Sequence, residues 1–465
     1  MQYFLSSALA GVLLMAGHPG ADAMMLQSCS RSSGAEAVLE SGHQSGAQAG
    51  KTWRVSTAEE LSALRKTLRP GDTVIWKDGT YHNINIKFSG AGAENAPITL
   101  KAETPGGVVF TGLSSMSLNG AWLAAEGFRW DELDTSEKKS LMTFSKTSSW
   151  CRYSDCMIDG TGSKVSDVDS KWVSLYGDHN TVEHCTFIDK RNMGCLMVVW
   201  FEDGKVPAHV IADNYFTRPY THYDSEGKAR NGQESLRIGT SDYSMQDGNC
   251  TVTGNWFYRC NGERAEIISS KSCGNAYEGN LFEESDGTLT LRHGNRCLVK
   301  GNYFLSGRKP DVGGVRIIGE DHVVEDNIVV GATGTGYKSG ICLVRGESDA
   351  ALNGYWTVKN AVVRNNFLID CRCGITVNFS GRKTQDSHPE NTLFEGNTIV
   401  SHKKYMMPVY VVDTPDDEMT WKDNVIYGGK CNGIELEETD VEPQLPDYET
   451  VPARIRESAG VRWSL

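Results

Sequence analysis

Lys271, Arg292, Arg316 and Arg345 follow one another at intervals of 21, 24 and 29 residues, each in or beside an apolar, strand-like segment. The segments read "AEIISSKS", "LRHGN", "GGVRIIG" and "LVRG", and "NGQESLRIGTS" ahead of them brings Asn231, Glu234 and Arg237. A single Lys or Arg in such a place is ordinarily a solvated surface residue. A recurring set is different, because unpaired like charges on neighbouring strands repel, and an array built only for stability would alternate signs. The column is therefore expected to line a groove for a polyanion.

One chemistry uses such a groove. Uronic acid polymers can be cut by β-elimination, in which a base removes the proton beside the carboxylate and the glycosidic oxygen at C4 leaves. That proton is weakly acidic while the carboxylate keeps its charge, so a cation must offset the enolate-like transition state. A lysine works as the base in its neutral form, which neighbouring cations favour. Lys271 as base and Arg292 as the neutralising cation would meet both needs.

Something regular must hold these residues in line. A phrase recurs along the chain: "ADNYF" at 212, "TGNWF" at 253, "EGNLF" at 278, "KGNYF" at 300, "EDNIV" at 325, "RNNFL" at 364, "EGNTIV" at 395 and "KDNVI" at 422. "SDCMI" at 154 and "EHCTF" at 183 are Cys-bearing versions. The steps run from 22 to 41 residues, too variable for a leucine-rich or helical solenoid and mostly too short for propeller blades. A polar turn residue followed by an apolar pair suits one corner of a stacked coil, where Asn tolerates left-handed geometry and can bond to the coils above and below. The pattern predicts an all-β, single-domain, right-handed parallel β-helix over residues 51–465. Near its start, "STAEELSALRK" predicts a capping helix with Ser56 or Thr57 as N-cap and Glu59 and Glu60 at its positive end. The acidic, Pro-containing last stretch is expected to fold back along the side.

The 465 residues carry a formal net charge of -13, which speaks against a nucleic-acid partner. Residues 1–23 read as an export signal, with an apolar run from Phe4 to Gly17 before Ala21-Asp22-Ala23, and the run is short for a membrane span. "LQSC" offers an alternative lipoprotein signal with Cys29 acylated, which would anchor the chain by lipid. Residues 24–50 read as a flexible leader. The 13 Cys are scattered without a metal-binding spacing and are expected to be small buried apolar residues.

"NGQESLRIGTS", "AEIISSKS" and "LRHGN", in this order and spacing, resemble the chondroitinase B and alginate lyase family of β-helical polysaccharide lyases, and "GDTVIWKDGTY" through "APITLKAETPGGVVFTG" fits that family's first coils. The resemblance covers about residues 52–430 and implies Lys271 as Brønsted base and Arg292 as catalytic arginine. It implies substrate contacts at His293, Lys190, Arg218 and Arg316, to which the cationic column adds Arg237. It also implies a calcium ion bridging an Asn, here Asn231, and a Glu-x-Glu pair. In this chain the second Glu is Glu266, but the first falls on Arg264. Glu263 is one residue away, and on a strand that offset turns a side chain to the other face. Either Glu234 fills the gap, or the metal is lost and Arg264 supplies the positive charge. The second is the expectation.

A β-helical glycoside hydrolase would need paired carboxylates on the Lys271 column, and a non-catalytic glycan-binding solenoid would need an aromatic stripe. Neither is marked in the sequence. The expected activity is a polysaccharide lyase cutting alginate, with dermatan sulfate as the alternative substrate, in a monomer that is secreted, periplasmic or attached to a bacterial outer membrane. Whether cutting is internal or from an end depends on loops that the sequence does not place.

Overall fold

The computed structural model describes residues 50–464 except 138. The export segment, nearly all of the leader and Cys29 lie outside the described residues. The chain winds as a right-handed parallel β-helix of three long sheets with 14, 13 and 12 strands, every named pairing parallel. Each coil passes from the first sheet to the second and then to the third. The third sheet runs from Asn85–Ala91 to Met407–Val411 and carries the cationic column.

The recurring Asn residues form a continuous ladder at the corner between the first and second sheets. Asn214, Asn255, Asn280, Asn302, Asn327, Asn366, Asn397 and Asn424 are joined in series, each side-chain amide donating to the next Oδ1 at 2.9–3.0 Å. Cys185 occupies the position before Asn214, its backbone N–H donating to Asn214 Oδ1 at 2.9 Å. The left-handed residue at this corner is the one before the Asn, such as Asp213 (φ 52°) or Gly254 (φ 64°), rather than the Asn itself. The neighbour bends the chain, and the Asn satisfies the backbone that the bend exposes. Inside, Phe187, Phe216, Phe257, Phe282 and Phe304 stack with ring centroids 4.6–5.0 Å apart.

Helix α1 (Ala58–Leu64) buries Leu61 and covers the first coil, which would otherwise end as an open sheet edge. Thr57 is its N-cap, accepting from Glu60 N–H at 3.1 Å, while the Glu60 carboxylate accepts from Ser56 N–H at 2.6 Å. The C-terminal stretch forms helix α2 (Thr450–Ser458) and runs back along the second sheet. Arg456 pairs with Glu283 at 2.7 Å, Gly460 N–H donates to Asp213 O, and Trp463 Nε1–H donates to Asp155 O at 2.8 Å. The twelve described cysteines are unpaired, and eleven of them are buried. No helix among the described residues is long and apolar enough to cross a membrane.

Candidate active site

Lys271 ends the strand Glu266–Lys271, and Arg292 lies near the end of the next strand of the same sheet, Gly287–His293. The pairing of these strands slips twice. Glu266 is opposite Thr288 and Ile268 opposite Leu289, leaving Ile267 over; then Ser270 is opposite Leu291 and Lys271 opposite His293, leaving Arg292 over. Such bulges re-aim side chains. Lys271 is half-buried, and among the described residues its ammonium makes no ion pair.

Arg292 also lacks a carboxylate partner among the described residues. Its Nη1 and Nη2 donate to the carbonyls of Gly354 (2.8 Å) and Asn353 (3.2 Å), and the guanidinium lies 4.4 Å from the Tyr355 ring centroid. Burial pulls its pKa below the ordinary value, but a guanidinium stays charged. His293 is 2% exposed, so it stands behind the groove rather than presenting a face to a ligand. Its Nδ1 faces Arg292 Nη1 at 3.4 Å and its Nε2 faces Ser241 Oγ at 3.3 Å. Burial, with Arg292 and Lys271 adding repulsion, pushes its pKa down to about 3. The ring is neutral, with Nδ1 accepting from Arg292.

Arg237 stands in register with Ser269, two residues from Lys271, its guanidinium 5.4 Å from the Trp200 ring centroid. Arg316, 6% exposed, pairs with Glu266 and lies 5.4 Å from the Tyr337 ring centroid. Nε of both arginines is buried without a hydrogen-bond partner. Arg345 lies beyond its strand, 3.8 Å from Asp413.

Two expected contacts besides His293 are corrected. Lys190 and Arg218 are fully buried. Lys190 Nζ donates to the carbonyls of Asn192 (2.8 Å) and Met193 (2.7 Å), and burial pushes its pKa well below the ordinary value. Arg218 donates to the carbonyls of Gly194 (2.8 Å), Gln233 (3.0 Å) and Asn192 (3.2 Å). These cations brace the 190–195 loop against the segment entering Glu234, because a buried charge is tolerable only where hydrogen bonds replace water. They do not face the groove.

At the other end of the strand, carboxylate oxygens of Glu234, Glu263 and Glu266 lie within 4.8 Å of one another. Residues 262–265 form a bend, so strand alternation does not apply before Glu266. Arg264 takes a left-handed conformation (φ 61°) and sends its guanidinium to Asp286 (2.6 Å) and Tyr223 (3.3 Å). Glu263 is thereby left in the cluster, accepting from the backbone N–H groups of Gly232 (3.1 Å) and Gln233 (3.3 Å). The expectation of a metal-free site rested on Glu263 turning away and Arg264 taking its place, and the structure removes both premises. Lost solvation pushes the Glu263 carboxyl well above the usual range, with Glu234 and Glu266 adding repulsion. Glu234 is 2% exposed and is met by Cys195 Sγ at 2.8 Å. Asn231 is exposed and immediately precedes Gly232. Three converging carboxylates, one of them paired with Arg316, offer the oxygen ligands that a divalent cation takes.

Tyr355, Trp200 and Glu263 were missed as site residues. Nothing in the sequence marks the two aromatics, but "NGER" carries a turn signal that could have warned against reading Glu263 as strand.

Residues 55–445 match the family model described as Chondroitinase B. Among solved structures, the family 6 alginate lyase AlyGC is 32% identical with a TM-score of 0.78, covering 88% of this chain and 56% of its own. This chain thus spans little more than half the length of that relative. A mannuronic acid specific family 6 polysaccharide lyase from human gut microbiota is 26% identical with a TM-score of 0.75, over 89% of this chain and 97% of that one. No curated protein sequence matches.

Proposed function

This chain belongs to the chondroitinase B family, and on that premise we propose that it is a polysaccharide lyase cutting alginate by β-elimination. One observation carries the reading: Lys271 and Arg292, brought together on adjacent strands, are cations without a carboxylate partner among the described residues. A structural ladder would have paired them, as Arg316 is paired with Glu266.

Lys271 Nζ takes the proton beside the uronate carboxylate, the electron pair forms the C4=C5 double bond, and the C4–O bond breaks, the departing oxygen taking a proton from solvent to become a hydroxyl. Arg292, fixed by two carbonyls and the Tyr355 ring, offsets the charge that develops on the sugar. Arg237, partly exposed beside Trp200, is placed to meet a substrate carboxylate. Glu234, Glu263 and Glu266 would hold a calcium ion, which when bound supplies positive charge beside the uronate carboxylate. Export from the cytoplasm and action as a monomer on an acidic polysaccharide belong to the same proposal.

The test is ultraviolet absorbance of the unsaturated uronate on alginate and on dermatan sulfate, each with and without EDTA. A rise on alginate that EDTA abolishes and calcium restores is the expected result. A rise that survives EDTA returns the site to the metal-free reading, a rise on dermatan sulfate alone changes the substrate, and no rise on either points to a hydrolase or a binding protein.

A further inference from the structure

The outward face of the third sheet is unequal on the two sides of Lys271. Towards the N-terminus, Arg237, Val198, Ser174, Thr143, Ser117 and Lys87 stand in register. A cleft of about 740 Å³ lies over the last four, with Tyr176 and Trp200 in its lining. These rings stack on each other at 5.9 Å, and Trp200 also touches Arg237. Val198, between Ser174 and Arg237, is fully buried, so the cleft reaches Arg237 by way of Trp200. Its five strands, Asn85–Ala91 to Met197–Val199, span roughly 19 Å at the strand spacing of about 4.8 Å.

Towards the C-terminus the same face is walled off. The position after Arg316 in register is Cys342, which is fully buried. Tyr355 packs on Cys342, Ile318 and Val344, and Tyr337, Trp356 and Phe379 pack against that group. Tyr337 and Phe379 meet edge to face at 4.7 Å. The wall is pinned on two sides: Ser348 N–H donates to Asp386 at 2.8 Å, Gly346 N–H donates to Ser387 O at 2.7 Å, and Ser244 Oγ–H donates to Leu352 O at 3.2 Å. Its rings already cover Arg292 and Arg316, so beyond Lys271 the free face lasts only about two strand steps, roughly 10 Å.

We propose that the groove is open at one end only: the long part of the polymer lies over the N-terminal coils, a short end reaches past Lys271 to the wall of Tyr337, Tyr355 and Phe379, and cutting proceeds from that chain end. This rests on the lyase reading above and adds the direction of attack.

The experiment follows alginate viscosity, ultraviolet absorbance and product size together from the first minutes. Wild-type protein is expected to release its shortest product at once, with little viscosity loss for each bond cut. Tyr337→Ala/Phe379→Ala, which lowers the wall without touching Lys271 or Arg292, is expected to yield longer early products and a several-fold larger viscosity loss per bond cut. An early ladder of mid-length products from the wild type, with rising absorbance, would overturn the one-ended groove and leave the lyase reading standing. Absence of absorbance takes down both. Because the wild-type result decides by itself, a poorly folding variant does not protect the proposal.

Discussion

Lys271 stands in register with His293, and Arg292 is the residue left over between Leu291 and His293. A half-buried ammonium and a carbonyl-held guanidinium both lie near the buried imidazole of His293, whose Nδ1 meets the guanidinium. Lys271→Ala is expected to lower the elimination rate by about 10²–10⁴-fold, the usual contribution of a positioned base. The melting temperature should be unchanged or slightly higher, since one of two close cations is gone. An equal loss of rate and of folded protein would sink the assignment.

Arg292→Lys should not rescue the arginine. A lysine cannot donate to both Gly354 and Asn353 and still place a planar cation over Tyr355. A drop in kcat of about 10²-fold or more is expected, the scale seen when a preorganised transition-state donor is lost. Wild-type kcat in the variant would remove Arg292 from the chemistry.

Calcium binding should be coupled to proton release, increasingly so as pH falls, because the raised Glu263 carboxyl must ionise to become a ligand. Calorimetry in two buffers of different ionisation enthalpy reads this directly, independent of activity. Glu263→Gln should weaken binding, whereas Arg264→Ala should leave it nearly intact, because Arg264 is held by Asp286. The reverse ranking would mean that Arg264, not Glu263, belongs to the site.

Stability should fall as pH drops below about 6.5. Burial pushes His209 and His293 down to about 3 and His322 down to about 4. The unfolded chain takes up these protons as pH falls through the ordinary value of 6.5, and the folded chain does not until near pH 3–4. The stabilisation is therefore complete above pH 6.5 and is lost progressively towards pH 4, by at most about 1.4 kcal/mol per pH unit for each such histidine. His322 Nδ1 accepts from Cys297 N–H at 3.1 Å, as Asn275 Oδ1 accepts from Cys250 N–H. His322→Asn can keep that bond and should flatten the dependence of melting temperature on pH. An unchanged slope would count against this account.

Asn302→Ala removes the acceptor for both Asn280 N–H groups and the donor to Tyr277 O. At about 1–3 kcal/mol for each buried group left unpaired, the loss should be about 3 kcal/mol or more by denaturant unfolding. Arg218→Ala should likewise destabilise the fold, orphaning the Gly194 and Gln233 carbonyls. A change in KM with stability intact would instead restore Arg218 as a substrate contact.

The sequence by itself determined the coil. An Asn recurring before an apolar pair is a local signal, because each coil must close the same corner with the same hydrogen bonds. A charge recurring near one coil length returns to the same sheet, as Arg237, Lys271 and Arg292 do, but not to the same register: Arg237 is opposite Ser269, Lys271 opposite His293 and Arg316 opposite Thr290. Only the tertiary structure decided which way the other charges face. Lys190 and Arg218 have the same residue types as the groove cations, yet point into backbone carbonyls that come together only when separate coils stack. Glu263 joins Glu234 and Glu266 because Arg264 adopts a left-handed turn and finds Asp286, 22 residues away. Alternation along a strand fixes orientation only where the chain is a strand; at bends and bulges, the partner that satisfies each polar group decides it.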